Sequence, residues 1–255
     1  MMITCLIEDT GNLKVEHGLS LYIDNNLLFD MGQSNYFIEN AQELDIDISK
    51  VEYAIISHGH YDHGGGLPYF LKENKKAEIY VGDGAFYKRY ANDNGSWRYI
   101  GLDEGLADNP RIKTLKKDTK ITRDCTILTN IQEFFPTPEG NNKLYRMLGD
   151  RLVLDDFKDE IILVIEKEDG LIVLTGCSHR GILNIIENVK RRYNKPLKAL
   201  IGGFHIKAGE AWSLIDKFKE IDEIYTGHCT SKEAYRILDS LDNIGSLHTG
   251  ARIKI

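Results

Sequence analysis

Short apolar runs alternate along this chain with stretches whose apolar residues recur at helical spacing. Residues 3–7, 19–23 and 27–29 predict strands, with turn chemistry at Asp24-Asn25-Asn26 because Asn and Asp tolerate left-handed backbone angles. A polar helical stretch is expected at 34–44 and a buried strand at 51–56, running straight into a run of histidines. Gly64-Gly65-Gly66 opens a helix through residue 71, and 78–81 reads as the next strand. The second half repeats this style. Strands at 161–166 and 171–175 are joined through Asp169-Gly170, a hairpin signal. Ile182, Leu183, Ile185, Ile186 and Val189 then share one helical face. Strands at 197–201 and 223–225 each precede a helix, at 210–219 and 232–241, and a closing strand is expected around 244–247.

Residues 84–160 break this rhythm. They are polar and loop-rich, with Trp97, Tyr99, Phe134, Phe135, Pro136 and Pro138. The pattern predicts a single domain over 1–255 that carries a lid-like insertion there; a surface elaboration with a small core of its own fits the same pattern.

Length and composition narrow the function. At 255 residues and 42% hydrophobic, the chain can bury a large core. A net charge of −7 argues against broad attraction to nucleic acid or to anionic lipid. The longest apolar runs, such as 171–174, are strand-sized, far short of the roughly 20 residues of a membrane-crossing helix. The first ten residues contain Glu8 and Asp9 and no basic stretch before an apolar one, so a cytoplasmic protein is expected. Cys5, Cys125, Cys177 and Cys229 form no CxxC pair and suggest no disulfide framework; Cys5 and Cys125 read as small buried residues.

The chemistry concentrates in His58-Gly59-His60-Tyr61-Asp62-His63, directly after a buried strand. A solvated polar turn does not need three histidines and an aspartate within six positions. Imidazole and carboxylate suit zinc, iron or manganese. Alternate residues of an extended turn point the same way, so His58 and His60 can share one ion while Asp62 and His63 turn toward a second. The glycines around the cluster let backbone and metal come close.

Ser57-His58-Gly59-His60-Tyr61-Asp62-His63 resembles the HxHxDH signature of the metallo-β-lactamase superfamily, and Leu27-Leu28-Phe29-Asp30-Met31-Gly32 resembles an earlier motif of that family. The resemblance implies a four-layer αβ/βα sandwich of two mixed β-sheets flanked by helices, with the active site where strand-terminal loops converge. It implies that Asp30 supports the metal loop through hydrogen bonds. It also implies second-half ligands. His179, in Gly176-Cys177-Ser178-His179, completes a three-nitrogen site with His58 and His60, and His228 joins Asp62 and His63. Cys177 stands where the family commonly has a bridging aspartate. A thiolate there is a candidate ligand, and a packing role is the alternative. His205 ends another strand as a ligand, a proton donor or a substrate contact. Cys229 reads as a neighbour of the site, and His17 and His248 have no partner in sequence.

The succession GCSH, GGFH, TGHC resembles a branch that includes ribofuranosylaminobenzene phosphate synthases, which join a dihydropterin to an aryl ribose phosphate. The expected activity is metal-dependent hydrolysis of a small ester, lactone or phosphoester with two divalent ions, zinc first and iron or manganese as alternatives. Asp62 and His205 are the expected catalytic residues, and His58, His60, Asp62, His63, Cys177, His179 and His228 the metal ligands. A dihydropterin-condensing transferase is the second reading, with Lys88, Arg89, Arg98, Lys143 and Arg146 as candidate contacts to an anionic small molecule. A non-enzymatic metal or redox sensor, built on the Cys-His pairs, is the third.

Overall fold

The apolar runs become the strands of two seven-stranded mixed sheets, and the amphipathic stretches become helices. The computed structural model describes residues 1–24 and 26–255. Of the expected turn, Asn25 lies outside the described residues; Asp24 and Asn26 stand in a turn, with Asn26 at φ 66°. The chain divides into two compact units. The first comprises Met1–Leu115, Asn142–Asp159 and His248–Ile255, and the second Lys116–Asn141 and Glu160–Leu247.

In the first unit the sheet runs Arg252–Lys254, Met2–Ile7, Ser20–Ile23, Leu27–Phe29, Tyr53–Ile56, Glu78–Gly82, Ile112–Leu115. The early strands pair antiparallel, and from Leu27–Phe29 onward the pairing is parallel. Tyr53–Ile56 sits between two parallel neighbours, which is why it reads as a continuous apolar run rather than an alternating one. Helices Tyr36–Glu43 and Leu67–Glu73 contribute Phe37, Leu67 and Phe70 to the core around Leu28, Ile56 and Ile79. The strand Arg252–Lys254 was not foreseen. It has three residues and one buried side chain, Ile253, too short for periodicity to register.

The polar middle also contributes strands. Arg151–Leu154, Leu144–Leu148, Arg89–Asp93 and Ser96–Tyr99 form a four-stranded antiparallel sheet in the first unit. Ile112–Leu115 and Cys125–Leu128 each join a seven-stranded sheet.

In the second unit the sheet runs Ile244–Ser246, Glu223–Thr226, Leu197–Gly202, Leu171–Thr175, Ile162–Glu166, Cys125–Leu128, Thr119–Lys120. Ile162–Glu166 and Leu171–Thr175 form the expected antiparallel hairpin. The helix Ile182–Arg192 buries Ile182, Ile185, Ile186 and Val189 against this sheet's core, as the spacing predicts. The helix expected at 210–219 instead breaks into short turns, Ala208–Ala211, Trp212–Leu214 and Ile215–Phe218; Ala211, Leu214 and Phe218 keep one face buried through the break. Leu171–Thr175, Leu197–Gly202 and Glu223–Thr226 are consecutive parallel neighbours whose register aligns Thr175, Gly202 and Thr226 in one row. The three segments GCSH, GGFH and TGHC therefore leave one edge of this sheet side by side.

Candidate metal centre

The strand Tyr53–Ile56 delivers the chain into the histidine cluster. His60 is in extended backbone (φ −96°, ψ 145°), and a one-turn helix, Tyr61–Gly64, starts after it. His58, His60, Asp62 and His63 are all buried. His58 Nε2 lies 3.1 Å from His60 Nδ1, and His63 Nε2 lies 3.8 Å from Asp62 Oδ2. His58 stands against both other histidines of the cluster, its ring centroid 4.6 Å from that of His60 and 4.3 Å from that of His63.

Asp30 is fully buried and takes a left-handed backbone (φ 60°), an uncommon conformation outside glycine. Its Oδ1 accepts the Ser57 amide at 2.7 Å. Its Oδ2 accepts the Ser57 hydroxyl at 2.8 Å and lies 2.7 Å from His63 Nδ1. The Asp30 contact places the His63 proton on Nδ1 and leaves the Nε2 lone pair for an ion. Replacing Asp30 by asparagine is expected to weaken metal binding by about 10–100-fold, because the carboxylate that fixes this tautomer is gone. Chelator competition measures it, and an unchanged affinity would refute the supporting role.

Gly59 is needed for a different reason from the expected approach of metal. A β-carbon there would sit 1.9 Å from the Ala85 carbonyl oxygen and 2.2 Å from Arg89 Nη1. The Gly59 amide donates to Asp159 Oδ2 at 2.8 Å. Asp159 in turn is 2.6 Å from Arg89 Nη2, and Arg89 Nε donates to Asp155 at 2.8 Å. All three charged side chains are only 1% exposed. Burial works against the Arg89 charge, but Asp159 and Asp155 raise its pKa. Arg89 is thus a buried brace of the metal loop and not the anion contact suggested by its sequence. Of the other basic candidates, Arg146 forms a fork with Asp156 at 2.9 and 3.0 Å, Lys88 lies 3.5 Å from Glu104, Lys143 lies 3.3 Å from Asp93, and Arg98 donates to the Tyr61 hydroxyl at 3.3 Å.

In the second unit His179 is buried and clamped. Its amide donates to Glu160 Oε1 at 2.7 Å, its carbonyl accepts from Asn141 Nδ2 at 2.7 Å, and its Nδ1 lies 2.9 Å from Asn141 Oδ1. Asn141 serves His179 as Asp30 serves His63: its Oδ1 accepts from Nδ1, which puts the ring's lone pair on Nε2. The rings of His179 and His205 stand 4.3 Å apart between centroids. Ser178, His205 and His228 all have positive φ (58°, 49° and 49°), so the backbone is strained at three adjacent strand ends.

Cys177, His205 and Cys229 come together, each offering one donor atom, with these atoms within 4.8 Å of one another. The His205 amide donates to Cys229 Sγ at 3.2 Å. Burial pushes the Cys229 thiol up, but the Cys177 and His205 side chains and the charge of His228 hold it well below the usual thiol range. Cys229, read from sequence as a neighbour of the site and not as a ligand, belongs to this group. The signal in sequence is that two of the three aligned strand ends place a cysteine beside or near a histidine. By contrast, burial raises the thiol pKa of both Cys5 and Cys125; Cys5 is buried as read from sequence, whereas Cys125 is only half-buried.

Imidazoles with fixed tautomers, a buried carboxylate and thiols are a donor set that fits divalent zinc, iron or manganese. Among the described residues no helix is long and apolar enough to cross a membrane.

Comparison with known proteins gives the same direction. The sequence model of the metallo-β-lactamase superfamily matches residues 15–179. An uncharacterized protein of Methanocaldococcus jannaschii is 29% identical over 269 residues, covering 100% of both chains. The 7,8-dihydropterin-6-methyl-4-(β-D-ribofuranosyl)-aminobenzene-5'-phosphate synthase of the same organism is 29% identical over 273 residues, covering 94% of this chain and 90% of the synthase. Among solved structures, Tm1679, a metal-dependent hydrolase of the β-lactamase superfamily, superposes with a TM-score of 0.89 at 31% identity, over 100% of this chain and 99% of that one.

Proposed function

The chain belongs to the metallo-β-lactamase superfamily and has its fold, and from that premise we propose that it is a cytoplasmic metal-dependent hydrolase of a small ester, lactone or phosphoester. The observation that carries the proposal is the buried group His58, His60, Asp62 and His63, with the His63 tautomer set by Asp30. In this reading His58, His60 and His179 hold one divalent ion, and Asp62, His63 and His228 a second, with zinc as the first choice. Cys177 is a further sulfur donor. Bound ions would supply an acidified water near neutral pH and polarise a carbonyl or phosphoryl oxygen. Asp62 orients the nucleophile through its carboxylate. His205 is the proton donor to the leaving group, carried on a strained backbone at the strand end with its ring against that of His179. The four unbridged cysteines support a reducing compartment.

A transferase reading is favoured by one specific observation, the end-to-end similarity to the dihydropterin-linked synthase. It uses the same ligands and replaces water by a second substrate.

Two measurements test these readings. Elemental analysis of protein purified without chelator is expected to give about two ions per chain. Metal-loaded protein is then offered ester, lactone and phosphoester panels, and separately a dihydropterin with an aryl ribose phosphate. Chelator-sensitive cleavage supports the hydrolase. A condensation product without cleavage replaces it with the transferase. Protein that takes up no zinc, manganese or iron sinks both.

A further inference from the structure

His17 looked inert in sequence, yet the first unit places it between two carboxylates. Its Nδ1 lies 2.9 Å from Asp9 Oδ2 and its Nε2 lies 3.3 Å from Asp62 Oδ2. The second contact is to the carboxylate of the HGHYDH cluster, whose side chain is only 9% exposed, while the His17 side chain is 51% exposed. An ordinary exposed imidazole–carboxylate pair adds little to stability and requires no special backbone around it.

Here the backbone is built for the contact. The Leu19 amide donates to the Asp62 carbonyl at 3.2 Å, so the strand entry runs against the metal loop. Gly18 makes that approach possible: a β-carbon there would stand 2.4 Å from the Asp62 carbonyl oxygen. Asp9 holds both neighbours, since its Oδ1 also accepts the Gly18 amide at 3.3 Å. On the other side Glu16 is anchored by the Gln33 amide at 2.9 Å, the Ser34 amide at 3.1 Å and the Ser34 hydroxyl at 2.6 Å, and Gln33 Nε2 donates to the His17 carbonyl at 3.1 Å. His17, Gly18 and Leu19 thus stand against the loop that carries Asp62, while Glu16 is fixed on Gln33 and Ser34.

We infer that Asp9 and His17 form a carboxylate–imidazole support that sets the rotation of the Asp62 carboxylate, making His17 a positioning residue for this ligand. The inference rests on the proposed role of Asp62 as a metal ligand. Its physical basis is simple. A carboxylate free to rotate samples geometries that do not bind an ion, and a hydrogen bond to one oxygen removes that freedom. Asp9 fixes the ring from its other nitrogen, and with a carboxylate at each nitrogen the ring donates from both, as an imidazolium, unlike His63, whose Nε2 keeps its lone pair.

The test is stepwise zinc affinity, measured by chelator competition on the full chain, for wild type, His17→Ala, His17→Gln and Asp9→Asn. His17→Ala is expected to weaken one of the two binding steps by about 10–100-fold and leave the other unchanged. His17→Gln, which can offer an amide N–H to the same oxygen, restores most of the loss. Asp9→Asn gives a smaller loss in the same step. Unmoved constants in His17→Ala, with wild type still binding two ions, overturn this inference and spare the proposed function. Equal weakening of both steps, without rescue by glutamine, marks a merely structural residue and also overturns it. Wild type that binds no zinc overturns both readings together.

Discussion

Replacing His58 by alanine is expected to strip at least one ion from the protein and to lower metal-dependent turnover by about three orders of magnitude. The size follows from what an ion contributes in such a site, several kcal/mol of transition-state stabilisation, with each 1.36 kcal/mol worth a factor of ten. The side chain is fully buried beside His60 and His63, with ring centroids 4.6 and 4.3 Å away, so no water-exposed donor stands ready to replace it. A second readout needs no substrate. Ions that bind only the folded chain stabilise it by about 2.7 kcal/mol at a hundredfold excess over Kd. The wild-type melting temperature should therefore rise when zinc is added to chelator-treated protein. In His58→Ala this rise should shrink, while circular dichroism without zinc matches that of wild type. Full turnover with two ions still bound would remove His58 from the site and, with it, the reading of the HGHYDH cluster as ligands. A variant that fails to fold is separated from that case by Asp62→Asn, which keeps volume and polarity and removes only the ligand charge.

The histidine cluster was legible because its members are contiguous and follow a buried strand; contiguity alone puts four donors in reach of each other. Asp30 was legible only through resemblance, since nothing local marks an aspartate at the end of Leu27–Phe29 as a hydrogen-bond acceptor for Ser57 and His63. The fold followed from the same sources. The strands Tyr53–Ile56 and Leu171–Thr175 are continuous apolar runs, whereas Arg252–Lys254 is too short to show a period. What escaped the sequence is what depends on register and on distant pairing. Cys229 joins Cys177 and His205 because three parallel strands align Thr175, Gly202 and Thr226, and that alignment is written in no single segment. Asn141 and Glu160 hold His179 from 38 and 19 residues away. His17 was passed over because it has no partner beside it in sequence and Asp62 lies far along the chain. Arg89 misled for the opposite reason. It stands in a polar stretch that reads as solvated, and its two acids follow only after the chain has returned through the four-stranded sheet.

That buried brace yields the largest expected effect on stability. Arg89→Met keeps much of the side-chain volume but leaves Asp159 buried without its cation and Asp155 with only Arg146, 3.7 Å away, and unfolding stability is expected to fall by about 3–5 kcal/mol. The guanidinium is also tied to main chain, with Nη1 donating to the Ala85 carbonyl at 2.9 Å and to the Gly84 carbonyl at 3.1 Å, so the loop that packs on Gly59 loses an anchor as well. Arg89→Lys should recover only part of the loss, because an ammonium keeps the charge but cannot fork between two acids and a pair of carbonyls. Urea unfolding measures the change through the transition midpoint at constant slope. The triple variant Arg89→Met/Asp155→Asn/Asp159→Asn separates two origins of the effect. If the cost comes from uncompensated charge, removing the charges together should return most of the stability. If it comes from the geometry imposed on Gly59, the triple variant should stay destabilised and also bind zinc more weakly, since the amide between His58 and His60 then donates to a neutral acceptor. A loss in Arg89→Met below about 1 kcal/mol, the range of exposed pairs, would show that water reaches these acids and that the brace does not hold the metal loop.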